Sequence, residues 1–543
     1  MRRGAEQHLS FYRLGWCIVW VLLSALAWLH LAGRIDLVTA DLGRHLKNGE
    51  LFLSEGRILT TNYYSFSRPD FPALCHHWGI GPVFYLVWKA WGFMGLSWGY
   101  TALLFVTFLL AVLTARCSSW TGAAVLAGIL ALPLLGYRIE IRPEGVSTFF
   151  LMIEYFVLSE WRARRITFRA LWVIPLIQLV WVNVHILFFC GLALVCIFWI
   201  DEGLVDGSFK GVMGGVLAAC LAASLVSPFT IAAVLVPLTI FSGYGYDLVE
   251  NQNILFMLKR FSVNPVYGYF LAALSVSLLL VVIRMAREKT WRRAFPHLLM
   301  ALFFGLLAVK AVRSIAMFGF ILIPVAAESL GVLTAGLPDF WRMLYRRVIA
   351  GFAVGLVMLA ALVPPFYLSP VRKFVTTLPP PGEGEGSLFS VLMRPSVWGG
   401  LQPGTQGSAV FFKNAGLKGP VFNNYDIGGY LIFNLFPDVR PFVDNRPEAY
   451  PVDFFKRTYI PMQEDDRVWD EMARRYGFEL IYFYRRDATP WAQPFLIRRL
   501  NDARWAPVFV DEGTIIMARR NGVNQAAISL YELPRTMFRV TGK

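Results

Sequence analysis

Long apolar stretches alternate with short polar ones through the first two thirds of the chain. A helix needs about 20 apolar residues to cross the hydrocarbon core of a bilayer. The first run follows a basic start and exceeds the core of a signal peptide, so we expect an uncleaved transmembrane helix. The pattern predicts about 11 spans, at 11–33, 96–115, 120–137, 144–160, 171–184, 185–201, 211–227, 265–284, 297–312, 314–333 and 347–364.

Basic residues lie mainly in alternate loops, which indicates the orientation of the chain. With Arg2 and Arg3 in the cytoplasm, the predicted inner loops are strongly basic, for example at Arg162, Arg165 and Arg287. An odd number of spans then places the C-terminal segment outside. We therefore expect a multi-pass protein of the cytoplasmic (inner) membrane, with a cytoplasmic N-terminus and an extracytoplasmic C-terminal domain.

The apolar pattern stops after residue 364. Residues 1–370 are predicted to form the transmembrane domain, 371–386 a linker rich in turn residues, and 387–543 a soluble α/β domain. In that domain a strand before Asp426, strands at 439–444 and 479–484, and a hairpin at 504–520 are predicted. Helical spacing occurs at 452–461, 464–476 and 491–502. The predicted fold class is a polytopic α-helical membrane protein with a C-terminal soluble α/β domain.

The composition agrees with a membrane protein. The mean hydropathy is +0.52 and only 16% of the 543 residues are charged, against about a quarter in soluble proteins. The net charge of +15 does not indicate nucleic-acid binding, because the basic residues cluster in short loops between apolar runs. No cysteine follows residue 220, so the C-terminal domain has no disulfide.

The first predicted outer loop, 34–95, contains a polar and aromatic stretch at 36–81. Asp41 in this stretch is a candidate general base, or a ligand for a divalent ion that bridges a phosphate. The alternative is an N-cap, since helix-compatible residues follow it. His45 lies one turn further on the same helix face, where it could share a metal or phosphate with Asp41, or hydrogen-bond to it for structural reasons alone.

Three further histidines and a tryptophan are candidates for substrate binding: His76, His77, Trp78 and His185. The first three follow a proline-bounded aromatic loop. Adjacent histidines point in different directions, so His76 and His77 are not expected to bind one ion as a pair. His185 lies within the apolar run 171–200, where a polar group at membrane depth suggests both a helix break and a functional site.

Several cations lie at the outer face, against the general charge pattern. Cations in such places usually have a partner or a function. Pairing with Glu140 and Glu144, or snorkelling to lipid headgroups, explains any single one. Together they suggest a pocket that binds the phosphate of a donor, built from Arg138, Arg142, Lys310 and Arg313.

In the C-terminal domain, polar clusters lie at the ends of predicted strands, where ligands often bind. Turns, caps and an Asp–Arg pair explain them equally well, and we favour that interpretation. The clusters are Asn423 to Asp426 and Asp444 to Arg446.

These motifs together resemble the GT-C superfamily of integral-membrane glycosyltransferases, which use polyprenyl-phosphate-linked sugars, and in particular a poorly characterised bacterial branch. The similarity is carried by DLGRHLKNGE (41–50), TNYYS (61–65), PALCHHW (72–78), RPE (142–144), WVNVH (181–185), SPF (227–229), VRS (312–314), NNYDIGGYL (423–431) and FVDNRPEAY (442–450). Arg44, Asn62 and His77 depart from the usual aromatic residue, aspartate and glutamate.

The resemblance implies that Asp41 is the catalytic-loop carboxylate, acting as a base or holding a divalent metal ion (Mg²⁺ or Mn²⁺). It implies a lipid-linked sugar donor, an acceptor that is a protein, lipid or glycan, and transfer at the outer face of the membrane. The alternatives from other classes are a transporter or flippase for a lipid-linked or anionic solute, and a non-catalytic assembly protein.

Overall fold

The structure is a computed structural model that describes residues 2–206, 211–239, 243–261, 264–288, 291–362 and 399–538. The predicted linker at 371–386 lies outside the described residues. Fourteen helices precede residue 363 in the described ranges: α1 Arg2–Leu31, α2 Leu42–Glu55, α3 Ile80–Ser118, α4 Thr121–Leu135, α5 Pro143–Arg162, α6 Val173–Val184, α7 Phe188–Asp206, α8 Val212–Ser224, α9 Ile231–Thr239, α10 Ile254–Arg260, α11 Val266–Arg287, α12 Phe295–Lys310, α13 Ile315–Ala335 and α14 Asp339–Leu362.

Five of the described helical segments are long and apolar enough to cross a membrane. They are Leu14–Leu31, Ile80–Ser118, Val266–Arg287, Trp291–Lys310 and Val312–Ala335, and three shorter apolar helices accompany them. The exact number of spans stays a prediction. The expected break in the run 171–200 is confirmed, because α6 ends at Val184 and α7 begins at Phe188.

Helix α3 begins well before the predicted span at 96–115 and includes a kink at Gly92, whose φ is 63°. A left-handed residue is tolerated there because glycine has no Cβ. Helices α2 and α3 approach each other closely at Gly49, where an added Cβ would lie 2.2 Å from the Gly81 carbonyl oxygen. Much of the predicted outer loop is therefore helical, and α2 is held directly against a membrane helix.

The C-terminal domain contains a four-stranded sheet of β1 Val421–Asn423, β2 Leu480–Tyr484, β3 Trp505–Val510 and β4 Thr514–Arg519. The strand order is β1-β2-β4-β3, with β1 parallel to β2 and the other pairs antiparallel. The helices of this domain are α15 Gly407–Asn414, α16 Gly428–Leu435, α17 Val452–Phe454, α18 Pro461–Glu464, α19 Asp466–Tyr476, α20 Ala492–Asn501 and α21 Gln525–Tyr531. The predicted hairpin and helices are confirmed.

The predicted strand at 439–444 is wrong. This segment makes one isolated bridge, between Val421 and Pro441, and no regular ladder. The Asn423 side chain replaces the ladder: its Oδ1 accepts from the Phe442 amide at 2.8 Å and its Nδ2 donates to the Val443 carbonyl at 2.7 Å. A buried extended segment must satisfy its backbone polar groups, and a side-chain amide can do so without a strand partner.

The C-terminal domain packs directly on α2. A Cβ on Gly43 would lie 2.5 Å from the Gly429 carbonyl oxygen of α16, so these two backbones touch without intervening side chains. Ser65 and Ser67 both donate to the Phe442 carbonyl, at 2.9 and 2.6 Å. These contacts place the loop after α16 beside the N-terminus of α2.

Candidate active site

Asp41 lies at the N-terminus of α2, but its side chain makes no capping hydrogen bond. Its Oδ2 instead faces Nη1 of Arg142 at 3.0 Å, and its Oδ1 accepts from Nδ2 of Asn445 at 2.5 Å. Arg142 precedes α5 and Asn445 belongs to the C-terminal domain. The carboxylate is therefore held between the membrane helices and the C-terminal domain, and the capping alternative is not what the structure contains.

Glu250 connects the three arginines predicted to bind phosphate. Its Oε2 lies 2.6 Å from Nη2 of Arg138 and 3.1 Å from Nη1 of Arg142, and its Oε1 lies 3.4 Å from Nη1 of Arg313. Glu144 also pairs with Arg138 and Arg313, at 3.3 and 3.6 Å. Arg138, Arg142 and Arg313, which are far apart in sequence, thus converge beside Asp41.

The pKa values of the Asp41 and Glu250 carboxyl groups are shifted in opposite directions. Burial raises the pKa of Glu250, but Arg138, Arg142 and Arg313 outweigh it and bring the pKa to about 2. Burial raises the pKa of Asp41 above its usual value, although Arg142 opposes this. Glu250 is therefore a permanent counter-ion, whereas Asp41 has the greater affinity for a proton, as a general base requires.

Four histidines form a cluster next to this site. The ring centroid of His77 lies 3.9 Å from that of His76, 5.5 Å from that of His45 and 5.0 Å from that of His185. Burial lowers the pKa of His76 to about 4, and burial also holds the pKa values of His45 and His77 well below their usual range. These three rings are neutral at pH 7, so they offer hydrogen bonds to a substrate without adding charge.

Two cavities meet at Asp41. The first, which we call the histidine cavity, has a volume of about 220 Å³ and is lined by the four clustered histidines together with Arg44 and Arg313. The second, the interface cavity, has a volume of about 580 Å³ and lies between the membrane part and the C-terminal domain. Both cavities are lined by the polar side chains of Asp41, Arg142, Glu250 and Asn445 and by Leu248, so these five residues form a shared wall.

Two of the predicted site residues lie elsewhere. Lys310 ends α12 and is not among the residues lining either cavity. Trp78 donates from Nε1 to Oδ1 of Asn183 at 3.0 Å, and it too is not among the residues lining either cavity. Sequence reasoning did not select Glu250, although an acid in an aromatic loop between apolar helices is a usable signal. It also attributed Asn445 to a turn.

The side chains around Asp41 differ from the predicted metal site. In the described part of the chain, no group of three or more His, Cys, Asp or Glu side chains is arranged to hold a metal ion. The carboxylates of Asp41, Glu144 and Glu250 are each paired with arginine. A divalent ion prefers several free oxygen ligands. These residues, as arranged, do not fit such an ion.

Comparison with known proteins identifies the fold. The sequence matches no protein-family model, and no curated protein is similar enough to be matched. The structure of the archaeal oligosaccharyltransferase AglB from Archaeoglobus fulgidus, in complex with an inhibitory peptide and a dolichol-phosphate, has a TM-score of 0.56 at 10% identity over 94% of this chain and 75% of that one.

Two further structures are similar over most of the chain. An Archaeoglobus fulgidus oligosaccharyltransferase in complex with Zn and sulfate has a TM-score of 0.50 at 11% identity, over 92% of this chain and 73% of that one. ArnT from Cupriavidus metallidurans, bound to undecaprenyl phosphate, has a TM-score of 0.48 at 13% identity, over 94% of this chain and 98% of that one. The chain therefore shares the overall fold of the archaeal oligosaccharyltransferase, which agrees with the fold that the sequence motifs led us to expect.

Proposed function

We propose that this protein is a membrane glycosyltransferase that moves a sugar from a polyprenyl-phosphate donor to an acceptor hydroxyl, with Asp41 as the general base. The observation that carries the proposal is the position of Asp41 in the wall shared by two cavities. A general base must reach the acceptor hydroxyl while the donor lies next to that hydroxyl. A wall shared by two cavities allows both substrates to lie beside Asp41.

The arginines support a phosphate-bearing donor. Arg142 and Arg313 line the histidine cavity, and Arg138 lies within 3.3 Å of Glu144 in its wall. Guanidinium groups bind phosphate through two parallel hydrogen bonds, and they stabilise the charge on a phosphate leaving group. Glu250 and Glu144 already neutralise part of the charge of these arginines. A donor phosphate would therefore replace some of the arginine–carboxylate contacts.

The reaction we propose is a single displacement. The acceptor oxygen forms a bond to the anomeric carbon, and its proton passes to Asp41. The bond from that carbon to the phosphate oxygen breaks, and polyprenyl phosphate leaves with the electron pair. The neutral histidines line the donor side, where they would hydrogen-bond to sugar or phosphate oxygens.

The interface cavity is the proposed acceptor side. It is lined by aromatic rings, including Tyr246 and Trp491, and by Asp426. Aromatic faces and carboxylates together suit the apolar faces and hydroxyls of sugars. Burial, with Asp487 and Asp41 nearby, raises the pKa of Asp426 to about 7. Asp426 could therefore accept or donate a proton near neutral pH, and it is a second proton-handling group on this side.

The test is Asp41→Asn, with Asp36→Asn as the matched control. Asp36 lies in the same loop, and among the described residues its side chain hydrogen-bonds only within its own turn, accepting from Val38 N at 3.1 Å and Thr39 Oγ1 at 2.9 Å. The full chain is reconstituted in liposomes, where mass spectrometry follows the release of polyprenyl phosphate. In a separate experiment, mass spectrometry compares the surface glycans of cells with and without the gene.

Asp41→Asn should abolish sugar transfer while donor binding and the unfolding temperature are kept, because removing a buried charge of raised pKa does not weaken the fold. Asp36→Asn should retain activity. A transporter would keep most of its flux in Asp41→Asn, and an assembly protein would be indifferent to it. Either of those results would reject the transferase. We place the reaction at the outer face of the cytoplasmic membrane, with the C-terminal domain outside.

A further inference from the structure

A third cavity, larger than the two at Asp41, lies at the opposite end of the helix bundle. Helix α13 begins two residues after Arg313, which lines the histidine cavity, and runs for 21 residues to Ala335, which lines the third cavity. At about 1.5 Å per residue the two sites are separated by about 30 Å, which is the thickness of the hydrocarbon core. The cavity therefore lies at the other membrane face, the one that the charge pattern predicts to be cytoplasmic.

The lining of this cavity is strongly basic. Its volume is about 1020 Å³, and four arginines line it against one aspartate: Arg116, Arg342, Arg346, Arg347 and Asp339. Asp339 pairs with Arg342, and among the residues that the structure describes the other three guanidinium groups have no acidic partner. Like charges that converge on one cavity repel each other, and a bound anion would relieve that repulsion.

Neutral donors in the same cavity also lack partners. The Ser119 hydroxyl and the Trp120 indole N–H are buried, and within the described ranges neither has a hydrogen-bond partner. Arg346 lies over the Trp120 ring, 5.8 Å from its centroid, which fixes both groups at the cavity wall. A buried donor without a partner costs free energy, so these groups point to an acceptor-rich ligand.

The basic helix of this cavity is amphipathic. Arg342 and Arg346 lie one turn apart on α14 and face the cavity, whereas Phe340, Leu344 and Val348 lie on another face and are exposed. Exposed apolar side chains beside a membrane span contact lipid tails rather than water. An anion in this cavity is thus next to a surface that contacts acyl chains.

We infer that this cavity binds the phosphate headgroup of an anionic phospholipid at the face opposite the active site. Basic pockets between helices at the cytoplasmic face are where such headgroups bind. Phosphate oxygens accept from the guanidinium groups, the Ser119 hydroxyl and the Trp120 N–H, while the acyl chains lie along the apolar face of α14. This site is independent of the transferase reaction.

The test uses the purified full chain in detergent with defined lipids. Phosphatidylglycerol is the probe, and phosphatidylcholine and inorganic phosphate are the comparisons. Retained lipid is counted by native mass spectrometry, and the unfolding temperature is measured with each additive. The variants are Arg346→Gln with Arg347→Gln, and the matched control is Arg164→Gln with Arg169→Gln, two exposed arginines outside the cavity.

Phosphatidylglycerol should be retained and should raise the unfolding temperature, and the cavity variants should weaken its binding on the order of tenfold or more. The control pair should bind as the unmodified chain does. If the paired variant does not fold, Arg346→Gln alone is measured. If the control pair loses phosphatidylglycerol binding as strongly as the cavity variants, the proposed site is wrong. The same holds if phosphatidylcholine raises the unfolding temperature as much as phosphatidylglycerol does. Equal stabilisation by inorganic phosphate would overturn the lipid as its ligand.

Discussion

The contact between Asn445 and Asp41 leads to a sharp prediction about pH. Asn445 Nδ2 donates to Asp41 Oδ1 at 2.5 Å, across 404 positions of sequence. This donation stabilises the ionised carboxylate against the burial that raises its pKa. In Asn445→Ala the donor is lost, so the pKa of Asp41 should rise further. Because the base must be ionised, the ascending limb of the rate against pH should move to higher pH.

The size of the effect follows from the kind of hydrogen bond. A hydrogen bond to a charged group contributes about 1.5–3 kcal/mol. On the ascending limb the rate follows the ionised fraction of Asp41, so the loss there is about tenfold to a hundredfold. Above the limb, where Asp41 is ionised in both proteins, the rates should approach each other again.

The assay is single-turnover sugar transfer with saturating donor, measured from acidic to alkaline pH. The control is Asn434→Ala, because Asn434 Nδ2 donates to the Tyr430 carbonyl of its own helix at 3.0 Å and, within the described ranges, to no other group. That variant should keep the limb of the unmodified chain. A uniform loss of rate with an unmoved limb in Asn445→Ala would refute the role given to this hydrogen bond, since it would indicate distortion rather than a changed base.

The remaining predictions concern stability. Glu250→Gln should lower the free energy of unfolding by about 3–5 kcal/mol, because it removes the charge shared by three buried guanidinium groups. Thermal unfolding measures this loss. The control Glu140→Gln should change little, because the Glu140 side chain is 55% exposed. An unchanged unfolding temperature for Glu250→Gln would contradict the shared counter-ion. Gly49→Ala should also destabilise the protein, since its Cβ would lie 2.2 Å from a backbone carbonyl of α3, whereas Gly99→Ala meets nothing within 4 Å. If both alanine variants unfold at the same temperature, α2 and α3 do not require that close contact.

Several features of this protein could be predicted from local sequence. The alternation of apolar and polar runs indicates membrane helices because burial in lipid requires an internally hydrogen-bonded backbone. The hairpin with its turn at Asp511 and the helix break near His185 were predicted correctly, since each depends on residues within one or two turns. The strand at 439–444 was not, because its backbone partners are side-chain groups of Asn423.

The arrangement of the candidate active site required the tertiary structure. The sequence alone indicated the membrane class and selected Asp41, Arg138, Arg142 and Arg313 as candidate site residues, because composition and charge position carry that information. It did not determine that Glu250 joins the arginines, that Asn445 reaches Asp41, or that Lys310 lies outside both cavities. Those facts depend on contacts between elements separated by tens to hundreds of residues, which are set by how helices and domains pack rather than by any local pattern.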